Sequence, residues 1–460
     1  MRRHEAFVIV GVLVAVAVAA QSPVGTASRE AFLWRSLDSW SLPISQAVVM
    51  QQDPYVSVRV RAVGVMASNV DPKRLLLLGR YMNDPDARVR EQVMLAAGRM
   101  GKPGLELAVH GLADATPLVR QAAVWAVAHG GPEAFEPLSR HLKKERSRTV
   151  RETLLANLWR IEGAPWQSIA ASYASDDDVH LRRAAAYSLS RSSDETARAA
   201  QRRILGDSEP VIRATGLRGF ERGTLGEKDL AVLQTKLEDS DWRVRAAACR
   251  ALAAQDPVAL SPEAAQKVAA FFSSLHPHLA VSAVAAAASQ PRIGTAVELL
   301  ELVHGDEAWL ASEAFVALAK RDAPTAVLVA KTWFESDDLW RRRAVARSAT
   351  ELGADFERLA AADTDPSVRL ACLSTLDDDA IRKRCEILVR MLGNDAVPAV
   401  RANILSLLRP SGVAPGVEEL VGFYAAWNRV SMADARAESL VAAVAAADSD
   451  EDRASIISLG

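Results

Sequence analysis

The sequence predicts an all-α fold, an α–α superhelix in which about twelve helical hairpins stack into a solenoid. First, an Asp followed six residues on by an Arg recurs about every 31 residues, at Asp84/Arg90, Asp114/Arg120, Asp176/Arg182, Asp207/Arg213, Asp239/Arg245, Asp363/Arg369 and Asp395/Arg401. A period this short cannot bury its own apolar face, so neighbouring copies must share one core. Second, the residues after each Arg carry a helical apolar stripe, as in Val89, Val93, Ala96 and Ala97 or Val119, Ala123, Ala126 and Val127. Third, no segment alternates with period two over a useful length, which argues against a sheet.

In chain order, Met1-Arg2-Arg3 and the apolar run Ala6 to Ala20, broken only by Gly11, read as a Sec signal peptide (1–20). The run is 15 residues long, short of the roughly 20 a spanning helix needs. A retained anchor is the competing expectation. No Cys stands near the cleavage zone, which excludes a lipoprotein anchor, and Tat export lacks the apolar residues expected directly after the twin Arg. Residues 21–52 read as a leader and N-terminal capping helix. The marker series Arg59, Arg90, Arg120, Arg151, Arg182, Arg213, Arg245, Ala280, Ala311, Arg342, Arg369 and Arg401 then defines twelve repeats, with Ala280 and Ala311 degenerate. In repeat 2, Lys73 to Asn83 supplies the first helix, Asn83-Asp84-Pro85-Asp86 the turn, and the Val89 stripe the second helix. Gly101, Gly130 and Gly163 follow helix ends, where a left-handed cap favours glycine. The step lengthens to 35 residues between Arg245 and Ala280, through Pro257, Ser261 and Pro262. It divides the repeats into halves at 53–260 and 261–410. Residues 411–460 read as C-terminal capping helices and an acidic tail.

Segments such as Asp84-Pro-Asp-Ala-Arg-Val-Arg-Glu-Gln-Val and Asp239-Ser-Asp-Trp-Arg-Val-Arg-Ala-Ala-Ala resemble HEAT repeats, over roughly residues 50 to 410. The short period resembles that of the bacterial HEAT-like class first named from phycobilisome lyases. That class hosts lyases, hydroxylases, DNA glycosylases and scaffolds, so the resemblance implies a fold rather than an activity. It also implies that the Asp/Arg ladder is structural, each Arg pairing with the turn Asp and with neighbouring carbonyls to tie hairpins together.

Little in the sequence supports chemistry. Nucleophile elbows, phosphate loops and zinc-protease motifs are missing. His276-Pro-His278 is the one close His pair, and two ligands do not complete a metal site. Asp176-Asp177-Asp178 and Asp377-Asp378-Asp379 read as solvated turns without the spaced ligands of a Ca²⁺ loop. Cys249, Cys372 and Cys385 read as buried apolar residues, with a bridge between the last two left open. No metal and no cofactor are expected. The formal charge is −2, and removing residues 1–20 takes away Arg2, Arg3 and Glu5 to leave −3, which argues against nucleic acid as partner.

The remaining candidate is the inner face. Second helices of HEAT units line the concave surface, and the position six beyond the core Val turns away from the core stripe. Read repeat by repeat it gives Leu95, Trp125, Ala156, Tyr187, Arg218, Arg250, Ala285, Val316, Arg347, Ser374 and Ser406. Leu95, Trp125 and Tyr187 beside Arg218 and Arg250 are therefore the expected contact residues of a scaffold that holds a protein or peptide. The other expectation is that Trp125 and Tyr187 pack on adjacent helices. A lyase-type or cofactor-binding protein and a membrane-tethered adaptor, the latter requiring residues 6–20 as an anchor, are the alternative functions.

Overall fold

The computed structural model describes residues 50–67, 72–374 and 395–411, with 376, 381, 388, 391 and 392 between them. The expected signal peptide, most of the expected leader, Asp377-Asp378-Asp379, Cys385 and the residues after 411 lie outside these residues. Every described regular element is a helix. By contacts, the chain forms two compact halves, Met1–Ala251 and Leu252–Gly460.

Twelve second helices are described, one for each marker position. In the first half they are Val56–Met66, Ala87–Met100, Pro117–Ala128, Arg148–Asn157, Val179–Leu189, Pro210–Phe220 and Trp242–Ala253. The last of these runs two residues past the division. The second half holds Pro277–Ser289, Ala308–Arg321, Leu339–Arg347, Pro366–Leu373 and Pro398–Ser411. Some first helices are shorter, such as Leu105–Gly111 and Phe135–Leu142, whereas Ala323–Phe334 is longer than the second helix Leu339–Arg347 that follows it.

The turns explain where these helices start. Oδ1 of the repeat Asp accepts the N–H two residues on, as in Asp86 N to Asp84 at 2.9 Å and Thr116 N to Asp114 at 2.8 Å. Such an Asx turn reverses the chain. In repeats 2, 5 and 11, Asp86, Asp178 and Asp365 then cap the second helix by accepting an N–H at its start. Proline at the first helical position, in Pro117, Pro210, Pro277 and Pro366, forgoes an N–H that has no intrahelical partner anyway. At the far end Gly101 and Gly163 take positive φ, 63° and 75°. In repeat 3 that conformation falls on Gly131, φ 86°, rather than on Gly130. The helix there ends at Ala128, and His129 and Gly130 intervene before the chain turns left-handed.

The stripe residues are fully buried: Val89, Val93, Val119, Ala123, Val127, Val244 and Ala248 are each at 0% exposure. One continuous core runs from Met50 to Ile212 through six repeats. The second helices from Val56–Met66 to Pro210–Phe220 pack each on the next, and so, within the second half, do those from Pro277–Ser289 to Pro398–Ser411.

Candidate functional site: an arginine and aromatic face on the second helices

The ladder comes first, because it decides which arginines are already occupied. Arg90 donates Nη1 to the main-chain oxygen of Asp84, in its own turn, at 2.8 Å. Its Nε and Nη2 reach Asp114, the turn of the next repeat, at 2.7 and 3.1 Å. The expected pairing is corrected in this respect: the carboxylate comes from the following hairpin, and the repeat's own Asp contributes its carbonyl. The same fork joins Arg59 to Asp84, Arg182 to Asp207, Arg213 to Asp239 and Arg369 to Asp395. A guanidinium is planar and wide enough to bond its own turn and the next carboxylate together, which an ammonium could not do.

Three rungs differ. Arg120 pairs with Glu145, which stands where repeat 4 lacks the Asp. Arg342 takes its carbonyl from Ser336 and its carboxylate from Asp363. Arg151 instead lies over the Tyr173 ring, 5.5 Å from its centroid, while Asp176 closes its own turn and gives its carbonyl to Arg182. Arg245 donates to the carbonyls of Asp239 and Ser240, and Arg401 to that of Asp395.

The electrostatics follow from this geometry. Burial pulls the Asp114, Asp207 and Asp239 carboxyls upward, but the facing guanidinium and the turn N–H outweigh it and hold each below the usual carboxylate range. The Arg120 guanidinium, acting against burial, holds Glu145 at about 2. The paired arginines Arg59, Arg90, Arg120, Arg182 and Arg213 are correspondingly raised.

At the opposite ends of the hairpins a second set of ties appears, for which sequence reading gave no expectation. Buried Gln201 donates to the carbonyls of Leu189 and Ser192, and Arg198 to those of Gly219 and Arg222. Gln290 reaches Leu252, Gln255 and Asp256, and accepts the Val258 N–H, which orders the longer loop of repeat 8. Arg321 donates to Ala287, Gln290, Ile293 and Gly294. The available signal was a polar residue inside an apolar helix, as in Ala-Arg-Ala-Ala-Gln from 197 to 201.

The expected contact residues divide as follows. Leu95, Trp125 and Tyr187 are half-buried on the outward side of their helices. Trp125 lies flat on the preceding second helix: a Cβ added at Gly98 would meet its ring at 2.3 Å. The same ring packs against His129, with centroids 4.3 Å apart. Arg218 is exposed, but Arg250 is drawn to Glu221, 3.6 Å away, and so is partly neutralised. Val316 belongs to the core, and Arg347 forms an ion pair with Glu313.

The structure adds a cluster one helical turn further on. Trp159 carries two guanidinium groups, Arg160 at 4.4 Å and Arg191 at 5.0 Å from its ring centroid. Arg191 also lies 4.9 Å from the Tyr187 ring and donates to its hydroxyl at 2.9 Å. Arg99, Arg160, Arg191 and Arg222 stand four residues after Leu95, Ala156, Tyr187 and Arg218, Arg99 within its helix and the other three in the turns that follow theirs. Among the described residues, Arg99, Arg160, Arg191, Arg218 and Arg222 make no ion pair with a carboxylate. Sequence reading stopped at the first position of this face and missed its i+4 partners.

Two grooves border these features. One of about 480 Å³ opens between the second helices of repeats 1 and 2 and ends on Arg99. The larger, about 560 Å³, lies away from the aromatic cluster, at the turns of repeats 3 and 4, around Arg140, His141, Lys144 and Glu145. Among the described residues no three His, Cys, Asp or Glu side chains converge as a metal site requires, and no helix is long and apolar enough to cross a membrane.

Comparison with known proteins defines the class. The HEAT-repeat family profiles match residues 47–128 and 230–254. Together with the hairpin geometry and the 31-residue period, this makes the chain a HEAT-repeat protein. No curated protein shows significant similarity to it. In structure, it is similar to a chain of a homology model of the full-length AP-3 complex in an intermediate open conformation (TM-score 0.47, 12% identity, 94% of this chain and 93% of that one). It is also similar to the karyopherin Kap121p bound to the extreme C-terminus of the phosphatase Cdc14p (TM-score 0.38, 14% identity, 87% and 53%). A third likeness is to human deoxyhypusine hydroxylase in complex with glycerol (TM-score 0.25, 18% identity, 56% and 96%). Likenesses at these TM-scores carry nothing about function.

Proposed function

We propose that this protein is a non-catalytic, exported scaffold that binds a protein or peptide partner on the outward face of its second helices, across repeats 2 to 6. One contrast supports the reading. In most repeats the ladder Arg is matched to the carboxylate of the next turn, whereas Arg99, Arg160, Arg191, Arg218 and Arg222, on the face that also carries Trp125, Trp159 and Tyr187, have no such match among the described residues. Aromatic and arginine side chains are the residue types that anchor protein interfaces, because each combines apolar area with directed hydrogen bonds.

The test is a crosslinking pull-down from the native envelope fraction with tagged mature protein and a Trp125→Ala/Tyr187→Ala twin. The expected result is a partner captured by the first and lost by the second. Identical partners from both would place the binding surface elsewhere. Export rests on the basic start and the apolar run to Ala20. Fused to a phosphatase that is active only outside the cytoplasm, residues 1–30 are expected to confer activity, and an inactive fusion would refute export.

A further inference from the structure

We infer that the partner presents an acidic segment in extended conformation, with a carboxylate at every third residue, laid across the second helices of repeats 4 to 6. The inference rests on the scaffold reading above and deepens it.

Three guanidinium groups carry the argument, one from each of three consecutive repeats. Each is oriented by a single hydrogen bond to the protein: Arg160 Nε to Asn157 at 3.0 Å, Arg191 Nη2 to the Tyr187 hydroxyl at 2.9 Å, and Arg222 Nε to the Ser190 carbonyl at 3.2 Å. The remaining N–H groups of all three bond to no described side chain or carbonyl. A guanidinium held in place with donors to spare is a preformed receptor for a carboxylate, because the side-chain ordering is already done. Arg160 and Arg191 are further steadied by the Trp159 ring.

Spacing sets the register. Packed helices lie about 8–10 Å apart. An extended chain of the polyproline II type has three residues per turn and advances about 3.1 Å per residue, so every third side chain returns to the same face about 9 Å further on. A segment running across the helices therefore brings every third side chain opposite a new Arg, and the residues between can meet Trp159 and Tyr187.

Neighbouring charge favours a short acidic peptide over a nucleic acid. Glu152 precedes Arg160 on the same helix, Glu162 is exposed just beyond it, and Glu221 stands beside Arg222 and engages Arg250. Arg148, Arg183 and Arg218 are the further exposed cations on these three helices. Carboxylates at the borders would repel a continuous polyphosphate but leave room for three separate carboxylates.

The experiment uses the full mature chain and two fluorescein-labelled peptides of equal composition, one repeating Glu-Ser-Gly five times and one with its five Glu consecutive. Fluorescence anisotropy at low and high salt reads the affinity. The spaced peptide is expected to bind, to weaken with salt, and to lose about tenfold or more on Arg160→Gln/Arg191→Gln. The clustered peptide is expected to bind more weakly. Should the double variant fail to fold, Arg160→Gln alone carries the test, because its only hydrogen bond is to Asn157 in its own repeat. Equal affinity for the two peptides, equal affinity for wild type and variant, or binding of an oligothymidylate but neither peptide would overturn the inference. If a pull-down partner still depends on Trp125 and Tyr187 while neither peptide binds, the acidic register falls and the scaffold reading stands.

Discussion

Repeats 1 to 6 and repeats 8 and 9 join hairpin to hairpin with different atoms. The earlier repeats chiefly use a guanidinium set between a carbonyl of its own turn and a carboxylate of the next. Repeats 8 and 9 have buried Ala280 and Ala311 at that position, at 2% and 3% exposure. There the ties are Gln290 and Arg321, at the other ends of the helices, and both bond to main-chain carbonyls. Burial pushes the Arg321 guanidinium downward, whereas Asp114 pushes that of Arg90 upward. The difference teaches that a planar multi-donor group can tie one hairpin to the next with or without a carboxylate. Where the carboxylate is present, the junction becomes sensitive to protons.

Acid should therefore separate the two regions most strongly. Asp114, Asp207 and Asp239 are held below their ordinary value of 3.8, and Glu145 is brought from 4.5 to about 2. A carboxyl depressed by folding stabilises the fold at pH values above its unfolded pKa, and that stability is lost as pH falls toward the folded value. For Glu145, with its side chain at 2% exposure, the loss is on the order of 3 kcal/mol. Between pH 4 and pH 2, hydrogen exchange corrected for intrinsic rates should show Pro117–Ala128 losing protection well before Ala308–Arg321 does. Equal loss in both helices would mean that the carboxylates are not what holds the earlier repeats.

A substitution sharpens the same contrast at a single rung. Asp84→Ala removes the partner of Arg59, and both residues are at 8% exposure. The stranded guanidinium should cost about 3–5 kcal/mol, read as a lower urea midpoint for the first transition. A cost under about 1 kcal/mol would class the rung with exposed surface pairs.

The period made the fold legible. A fixed Asp-to-Arg spacing with an apolar stripe behind it can be satisfied only by hairpins in register, so the number of repeats and the phase of Val89 or Val119 could be read directly. The partner of each Arg could not, because the offset within a repeat and the offset to the next repeat are both regular, and only the direction of the side chain chooses between them. The candidate face was half legible for a related reason. One position per helix was enough to find Trp125, Tyr187 and Arg218. Arg250 looked equivalent to Arg218 until Glu221, in the preceding repeat, proved to face it. Trp159, Arg160 and Arg191 lie where the fourth and fifth second helices end, and neighbouring helices bring them together. Gln201 and Gln290 were missed because polar residues within apolar helices satisfy carbonyls that have no signature in the sequence.

The smallest expected effect lies inside the ladder itself, at its irregular rung. Arg151 occupies the ladder position of repeat 4, but its guanidinium lies over Tyr173, and no described carboxylate pairs with it. Asp176 meanwhile spends Oδ1 on the Asp178 N–H, as its counterparts do, without receiving an Arg. Removing the charge at Arg151 thus strands nothing and forfeits only a ring contact, which is worth about 0.5–1 kcal/mol at an accessible site. Arg151→Gln should shift the urea midpoint by that amount, and Arg90→Gln, which leaves Asp114 buried and unpaired, by several times more. Equal shifts would show that the contribution of a rung comes from the methylene stem of the Arg packing between hairpins, a property Arg151 shares with the rest, and not from the carboxylate it faces.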